Sequence, residues 1–396
     1  MSMMKKDRLL YKLKKPQNET FLKRVFFFAV IVLVLFVTVS ILASSFFEKR
    51  FQSSSLKGTL HIFSTEQLVA FMGTVNPYFQ QGLPNSYKPP SIQSLSFELA
   101  TNIKPGDIRS LLGRELPGFA IFDTEIVVAG EGTDYTTLPI ESAPPLDVLL
   151  KEREVAEEKL KVEESEETPK PDMTTNGRKV VYLYQSHSYE SFLPLLKGAE
   201  VSDDANSSNP EANMIRVGGM LANELEQRGI GVQQDRSNIG EKLKDRGWNH
   251  GNAYQLSREI VQTAVADNKD ITFSFDLHRD SQRRDKTTVE INGKSYAKLM
   301  FVIGKANPDY EKNLQLAEEL HHLLKEKYPG LSRGVILKSK TEGNGIYNQD
   351  LSDQAALLEV GGVDNNLEEI QRSTEAFAEV FAEYYWKDEK VNAGGQ

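Results

Sequence analysis

Residues 25–47 form an uncharged apolar run relieved only by serine and threonine. At about 1.5 Å rise per residue such a run crosses a hydrocarbon core of roughly 30 Å, so it predicts a transmembrane helix. Residues 1–24 carry Lys5, Lys6, Arg8, Lys12, Lys14, Lys15, Lys23 and Arg24 against only Asp7 and Glu19. This basic tail predicts a cytoplasmic N-terminus, with everything after Glu48 facing outward. The alternative is a cleaved signal peptide using the small residues 43–45. The length of the run and of its basic flank favours an uncleaved single-pass anchor.

From 58 to 147 the pattern is broken and mixed. A short strand at 60–63, a helix beginning at Ser64, a loop marked by Pro84, Pro89 and Pro90, and a short helix at 107–118 predict a small accessory domain. Residues 148–177 are dominated by glutamate and lysine and close on Pro169 and Pro171. With too few apolar residues to offset ordering entropy, they read as an acidic linker.

After Gly177 strands alternate with helices. Strands are predicted at 179–186, 230–233, 271–277 and 355–360, and helices at 212–227, 254–266, 313–327 and 367–386. Asn292-Gly293 predicts a hairpin joining 287–291 to 298–303. The alternation predicts a doubly wound α/β domain over 178–390, its sheet made mixed by the hairpin.

Three of these strands end on polar residues. The first runs into His187, with Glu190 three residues on; the second runs into His278, Arg279 and Asp280; the third carries Glu359 before Val360-Gly361-Gly362. Parallel in one sheet, they would gather these side chains along the edge where open α/β sheets place ligands. Two histidines and a carboxylate, with water in the fourth position, are the ligand set of a hydrolytic zinc. His187 and His278 are the expected metal ligands. The third is Glu190, brought back by an irregular turn, or Glu211 at the start of the next helix.

Glu359 lies among apolar neighbours that should raise its pKa, which suits a general base. As a purely structural carboxylate it would instead pair with an arginine such as Arg333. Asp276 is placed to fix the tautomer of His278, and Arg279 to hold a substrate carboxylate or to balance Asp280.

Composition narrows the chemistry. The chain has 396 residues, no cysteine and six histidines, and a formal net charge of -9. Lack of cysteine excludes thiolate sites and disulfides, so a zinc ion must be held by nitrogen and oxygen. Acidic excess argues against a nucleic-acid partner, which needs a basic face. His321 and His322 fall within a predicted helix and, like His61 and His250, read as ordinary packed or solvated residues.

Residues 184–194, 276–280, 328–334, 347–351 and 358–361 together resemble the corresponding segments of the stage II sporulation protein P family, across most of 178–386. The resemblance implies a cell-wall hydrolase related in fold to the zinc N-acetylmuramoyl-L-alanine amidases. It implies cleavage of the amide between muramic acid and the stem peptide, credited also with cutting peptide cross-links. Action at the sporulation septum during engulfment follows, with peptidoglycan as substrate and stage II sporulation proteins D and M as partners. His187 and His278 match the family's metal-site histidines, and Glu359 matches the strand-end glutamate of the related amidases. Many relatives carry histidine where this chain has Gln185, so that position cannot be an essential ligand here. The general amidases place a glutamate ligand just before their first long helix, where this chain has only Glu211, out of step.

Overall fold

The structure, a computed structural model, describes residues 124–140, 153–161 and 173–394, with isolated positions 69, 78 and 171. The chain divides after Pro90, and all described residues except 69 and 78 belong to the unit 91–396. The expected span at 25–47 lies outside the described residues; among those described, no helix is long and apolar enough to cross a membrane.

In chain order the elements are β1 (Glu125–Ala129), β2 (Lys179–Tyr184), α1 (Met214–Gln227), β3 (Gly231–Gln234), α2 (Ile239–Asp245), α3 (Ala253–Asp267) and β4 (Phe273–Asp280). There follow α4 (Arg284–Thr287), β5 (Thr288–Ile291), β6 (Lys294–Ala297), β7 (Leu299–Gly304), α5 (Tyr310–Lys327), β8 (Ser332–Lys338), β9 (Gln354–Gly362) and α6 (Leu367–Gly394). Seven strands make one sheet in the order β1-β8-β7-β9-β4-β2-β3. The block β9-β4-β2-β3 is parallel throughout, while β7 joins it antiparallel through β9, so the sheet is mixed as expected.

Strand β2 reads Lys-Val-Val-Tyr-Leu-Tyr and is buried from its second residue on, because both faces of the sheet are covered. On one face Phe273 and Phe275 meet Phe377 and Phe381 of α6 edge to face, at centroid distances of 5.1 to 5.4 Å. Leu316, Leu320 and Leu324 of α5 join this core at helical spacing. On the other face Val261 and Ala264 of α3 pack on Tyr182 and Tyr184. Helix α1 starts on Asn213, whose side chain accepts the Ile215 N–H at 2.9 Å, and ends at Gly229 with φ +82°. A Cβ at Gly229 would lie 2.0 Å from the Met173 carbonyl oxygen, so only glycine fits this turn.

Two expectations change here. Asn292 and Gly293, at φ 52° and 77°, do turn a hairpin, but the partner of β5 is β6 and not 298–303. A two-residue turn fixes the register immediately, which leaves the next run free. That run, β7, is apolar on both faces and enters the main sheet against β9.

Secondly, part of the stretch assigned to the accessory domain belongs to the sheet. Strand β1 pairs antiparallel with β8 and covers its edge. Residues 153–161 of the expected linker also pack onto the fold. Val155 bridges to Leu196, the Ala156 N–H donates to the Leu195 carbonyl at 2.9 Å, and Arg153 pairs with Asp204 at 2.7 Å.

Candidate metal centre

The centre lies where β2 and β4 end side by side. Strand β2 stops at Tyr184, and after Gln185 and Ser186 the backbone turns so that the Glu190 N–H donates to the His187 carbonyl at 3.0 Å. This turn folds the Glu190 carboxylate back onto its own histidine, Oε1 lying 3.3 Å from His187 Nδ1. Because Tyr184 is level with Asp276 in the neighbouring parallel strand, His278 extends to the same point. Its Nδ1 lies 3.6 Å from Glu190 Oε2. His187, Glu190 and His278 each offer a ligand atom, all within 4.8 Å of one another, and all three are buried. The turn thus makes Glu190 the third member.

The electrostatics suit a cation. Burial alone would push the Glu190 carboxyl up, but the charge of His278 and the hydrogen bonds of both imidazoles hold it well below the ordinary carboxylate range. His278 behaves conversely: burial would lower it, yet Asp276 and Glu190 carry it well above an ordinary imidazole. A proton on His278 therefore supplies the positive charge that two buried carboxylates need. Two nitrogens and an oxygen, dehydrated and convergent, fit zinc, and that ion would supply the same charge.

Asp276 anchors the support. It accepts from the Ser186 N–H at 2.8 Å and the Ser186 hydroxyl at 2.6 Å, and its Oδ1 lies 3.1 Å from His278 Nε2. Ser186 Oγ is 2.7 Å from Ser257 Oγ, which accepts from Asn348 Nδ2 at 2.9 Å. The network runs from the loop after β8 through α3 to Asp276, whose Oδ1 stands beside the His278 ring.

Glu359 is level with His278 in the adjacent parallel strand β9. Its carboxylate is buried, and Oε2 has no hydrogen-bond partner among the described residues. Burial first, then the nearby Asp280 and Glu190 charges, push its pKa up to about 8 against the pull of His278. It is not paired with Arg333, which binds Asp280 at 2.6 Å.

Three expectations fall away. Glu211 lies outside the convergent group and pairs with Arg216 at 2.9 Å, both half exposed, because its turn faces outward before α1 begins. The Arg279 guanidinium is buried and donates to the backbone carbonyls of Ala205 and Asp280 at 3.1 and 3.4 Å, so it cannot meet a substrate carboxylate. The arginine balancing Asp280 is Arg333, brought over the sheet face by β8. What Arg279 does contribute is its backbone N–H, which donates to Glu190 Oε2 at 2.9 Å.

Sequence reasoning missed a wall of rings. His250 sits with its centroid 4.5 Å from that of His187, and its Nδ1 bonds the Tyr189 hydroxyl. Tyr254 lies 5.2 Å from His187 and 5.4 Å from Tyr347. His250 stands in a three-residue helical turn capped by Asn249, far from any strand end, and nothing local in the sequence marks it. Only its place among six histidines could have raised it. His321 is the packed helix residue expected, 2.7 Å from Ser332 Oγ, and burial lowers its pKa to about 4.

A mixed α/β sheet whose parallel strands bring two imidazoles and a carboxylate to one buried point, with a second, protonatable carboxylate alongside, defines a protein built around a candidate metal centre. The comparisons give its kinship. The profile of the family described as Stage II sporulation protein P (SpoIIP) matches residues 106–382. The Stage II sporulation protein P of Bacillus subtilis (strain 168) is 46% identical over 375 residues, covering 94% of this chain and 93% of that protein. The chain belongs to the stage II sporulation protein P family.

Solved structures overlap it only loosely. Cwp6 from Clostridium difficile is 12% identical with a TM-score of 0.32, over 53% of this chain and 30% of that one. The N-acetylmuramyl-L-alanine amidase Ami1 from Mycobacterium smegmatis is 11% identical with a TM-score of 0.30, over 52% of this chain and 96% of that one. Overlaps of this size establish no shared fold.

Proposed function

We propose that this chain is a zinc-dependent N-acetylmuramoyl-L-alanine amidase of the sporulation septum. It is held by a single span at 25–47, with its hydrolase domain outside the cytoplasm, and degrades septal peptidoglycan during engulfment beside stage II sporulation proteins D and M. Membership of a sporulation family supports the setting. The observation that carries the chemistry is Glu359, a buried carboxylate without a partner on Oε2, level with a candidate metal ligand.

His187, Glu190 and His278 would hold the ion, which supplies Lewis-acid polarisation of a carbonyl and acidifies a water. In its ionised form Glu359 can take a proton from the attacking water and give it to the departing amide nitrogen. Asp276 fixes the His278 ring, and the Arg279 N–H fixes Glu190. Tyr254 and Tyr347 close the apolar side of the centre and keep bulk water from the charges.

The test is Glu359→Gln in the full chain. Loss of stem-peptide release with bound zinc unchanged supports the assignment; unchanged release would remove Glu359 from the chemistry and favour a wall-binding scaffold.

A further inference from the structure

Between β8 and β9 the chain makes a turn that its residues resist. Tyr347 and Asn348 stand side by side at φ 54° and 57°, in the left-handed region. The other non-glycine residues found there among the described residues are asparagines, which tolerate it; a bulky tyrosine does not, so its place is imposed by what surrounds it. The surroundings are firm on both sides. Gln349 is tied to β7, accepting from the Gly304 N–H and donating to the Val302 carbonyl, both at 2.9 Å, and Asp350 makes a two-pronged ion pair with Arg258 of α3 at 2.7 Å. In an extended chain adjacent side chains point to opposite sides. The left-handed pair instead lays both on α3, the Tyr347 ring 5.4 Å from that of Tyr254 and the Asn348 amide against the Tyr254 carbonyl and Ser257.

The Asn348 amide heads a run of buried polar groups whose protons can be placed one by one. Its Nδ2 lies 3.3 Å from the Tyr254 carbonyl, which can only accept, so the nitrogen, and not the amide oxygen, is the atom that meets Ser257 Oγ at 2.9 Å. At the far end the Asp276 carboxylate takes the one proton of the Ser186 hydroxyl. Ser186 Oγ must then accept from Ser257 at 2.7 Å, and Ser257 Oγ, its own proton spent, must accept from Asn348. All four side chains are buried. One amide and one carboxylate at the two ends thus point every hydroxyl between them at Asp276. Asp276 Oδ1 in turn stands 3.1 Å from His278 Nε2, while the other ring nitrogen, Nδ1, is on the Glu190 side at 3.6 Å. The His278 ring itself is stacked on Tyr254, 6.1 Å away at 16°, and Tyr347 backs Tyr254. The strained pair reaches one imidazole by two routes.

We propose that Asn348 is a positioning residue of the metal centre: held in its left-handed turn, it supplies the proton that orders Ser257 and Ser186 towards Asp276, and so sets the His278 ring with Nδ1 turned to the ion. The proposal rests on the zinc reading of His187, Glu190 and His278. The strain follows from aiming two adjacent side chains at one helix, and the contacts that impose it, those of Gln349 and Asp350, are made outside the centre.

Zinc affinity is measured on the full chain in detergent by competition with a chromophoric chelator, and cobalt(II) is substituted to read ligand geometry from its visible bands. Asn348→Gly keeps the left-handed turn without steric strain and removes the amide. It should bind zinc about tenfold more weakly and shift the cobalt bands. Ser257→Ala, which alters no strained residue, should do the same, and the two together should be no worse than either alone, because the run is already cut. Asp350→Asn loosens the same turn from α3 without touching that run, and should leave both readouts as in the parent. Losses that add, or an equal loss in Asp350→Asn, would reduce the turn to a mechanical strap and overturn the proposal. A parent that binds both metals, with Asn348→Gly indistinguishable from it, would overturn the proposal alone. A parent that takes up neither metal would overturn the zinc reading and the proposal with it.

Discussion

Glu359 and Asp280 differ in how their buried charges are met, and that difference organises the site. Asp280 and Arg333 are a matched buried pair at 2.6 Å; removing one member should cost about 3 to 5 kcal/mol, because the other charge stays buried alone. Arg333→Met should therefore lower the melting temperature sharply, and a melt within a degree or two of the parent would show the pair to be dispensable. Glu359 is unmatched and avoids the cost by holding a proton. Its folded pKa of about 8 lies above the ordinary 4.5, so the native state binds the extra proton between those values. Its stabilising contribution is present below about 4.5 and is lost as pH rises through about 8. His278, raised above an ordinary imidazole, contributes in the same direction. Metal-free protein should accordingly melt lower at pH 9 than at pH 6, and Glu359→Gln should shrink the difference; a difference untouched by that substitution would show that Glu359 is already ionised.

At the scale of elements, the parallel strands β2, β4 and β9 were legible because each is an apolar run that stops at chemistry-bearing residues. The turn that selects Glu190 over Glu211 was open in the sequence, since backbone hydrogen bonding decides it. β8 and β1 escaped for a different reason. Their registers depend on each other and on β7, partners remote in the chain, and β1 is too short to show periodicity. His250 was illegible for the same cause, because only the tertiary fold brings it beside His187, more than fifty positions away in the chain.

Strand β1 makes a prediction of its own. A fragment starting at residue 178 would expose the β8 edge and the surfaces covered by 153–161, a hazard for strand-to-strand aggregation. It should melt lower and aggregate more than a fragment starting at 106, compared by thermal melts and light scattering. Equal behaviour would make β1 an ornament of the sheet. Gly229→Ala, at φ +82° with the Met173 carbonyl oxygen in the way, should cost more than about 1 kcal/mol in the same assay.

For the whole molecule, the proposal that the basic tail and the apolar run at 25–47 hold the reacting domain on the far side of a membrane makes its own prediction. A reporter active only outside the cytoplasm, fused after residue 50, should light up; silence there would reverse the topology. The most direct test of the account is digestion of purified peptidoglycan by the full chain in detergent, with chelator and with zinc restored, and products read by mass. The account predicts free stem peptides and bare glycan, lost on chelation and regained with zinc. Shortened or uncrosslinked peptides still attached to glycan, or release that persists in chelator, would contradict it.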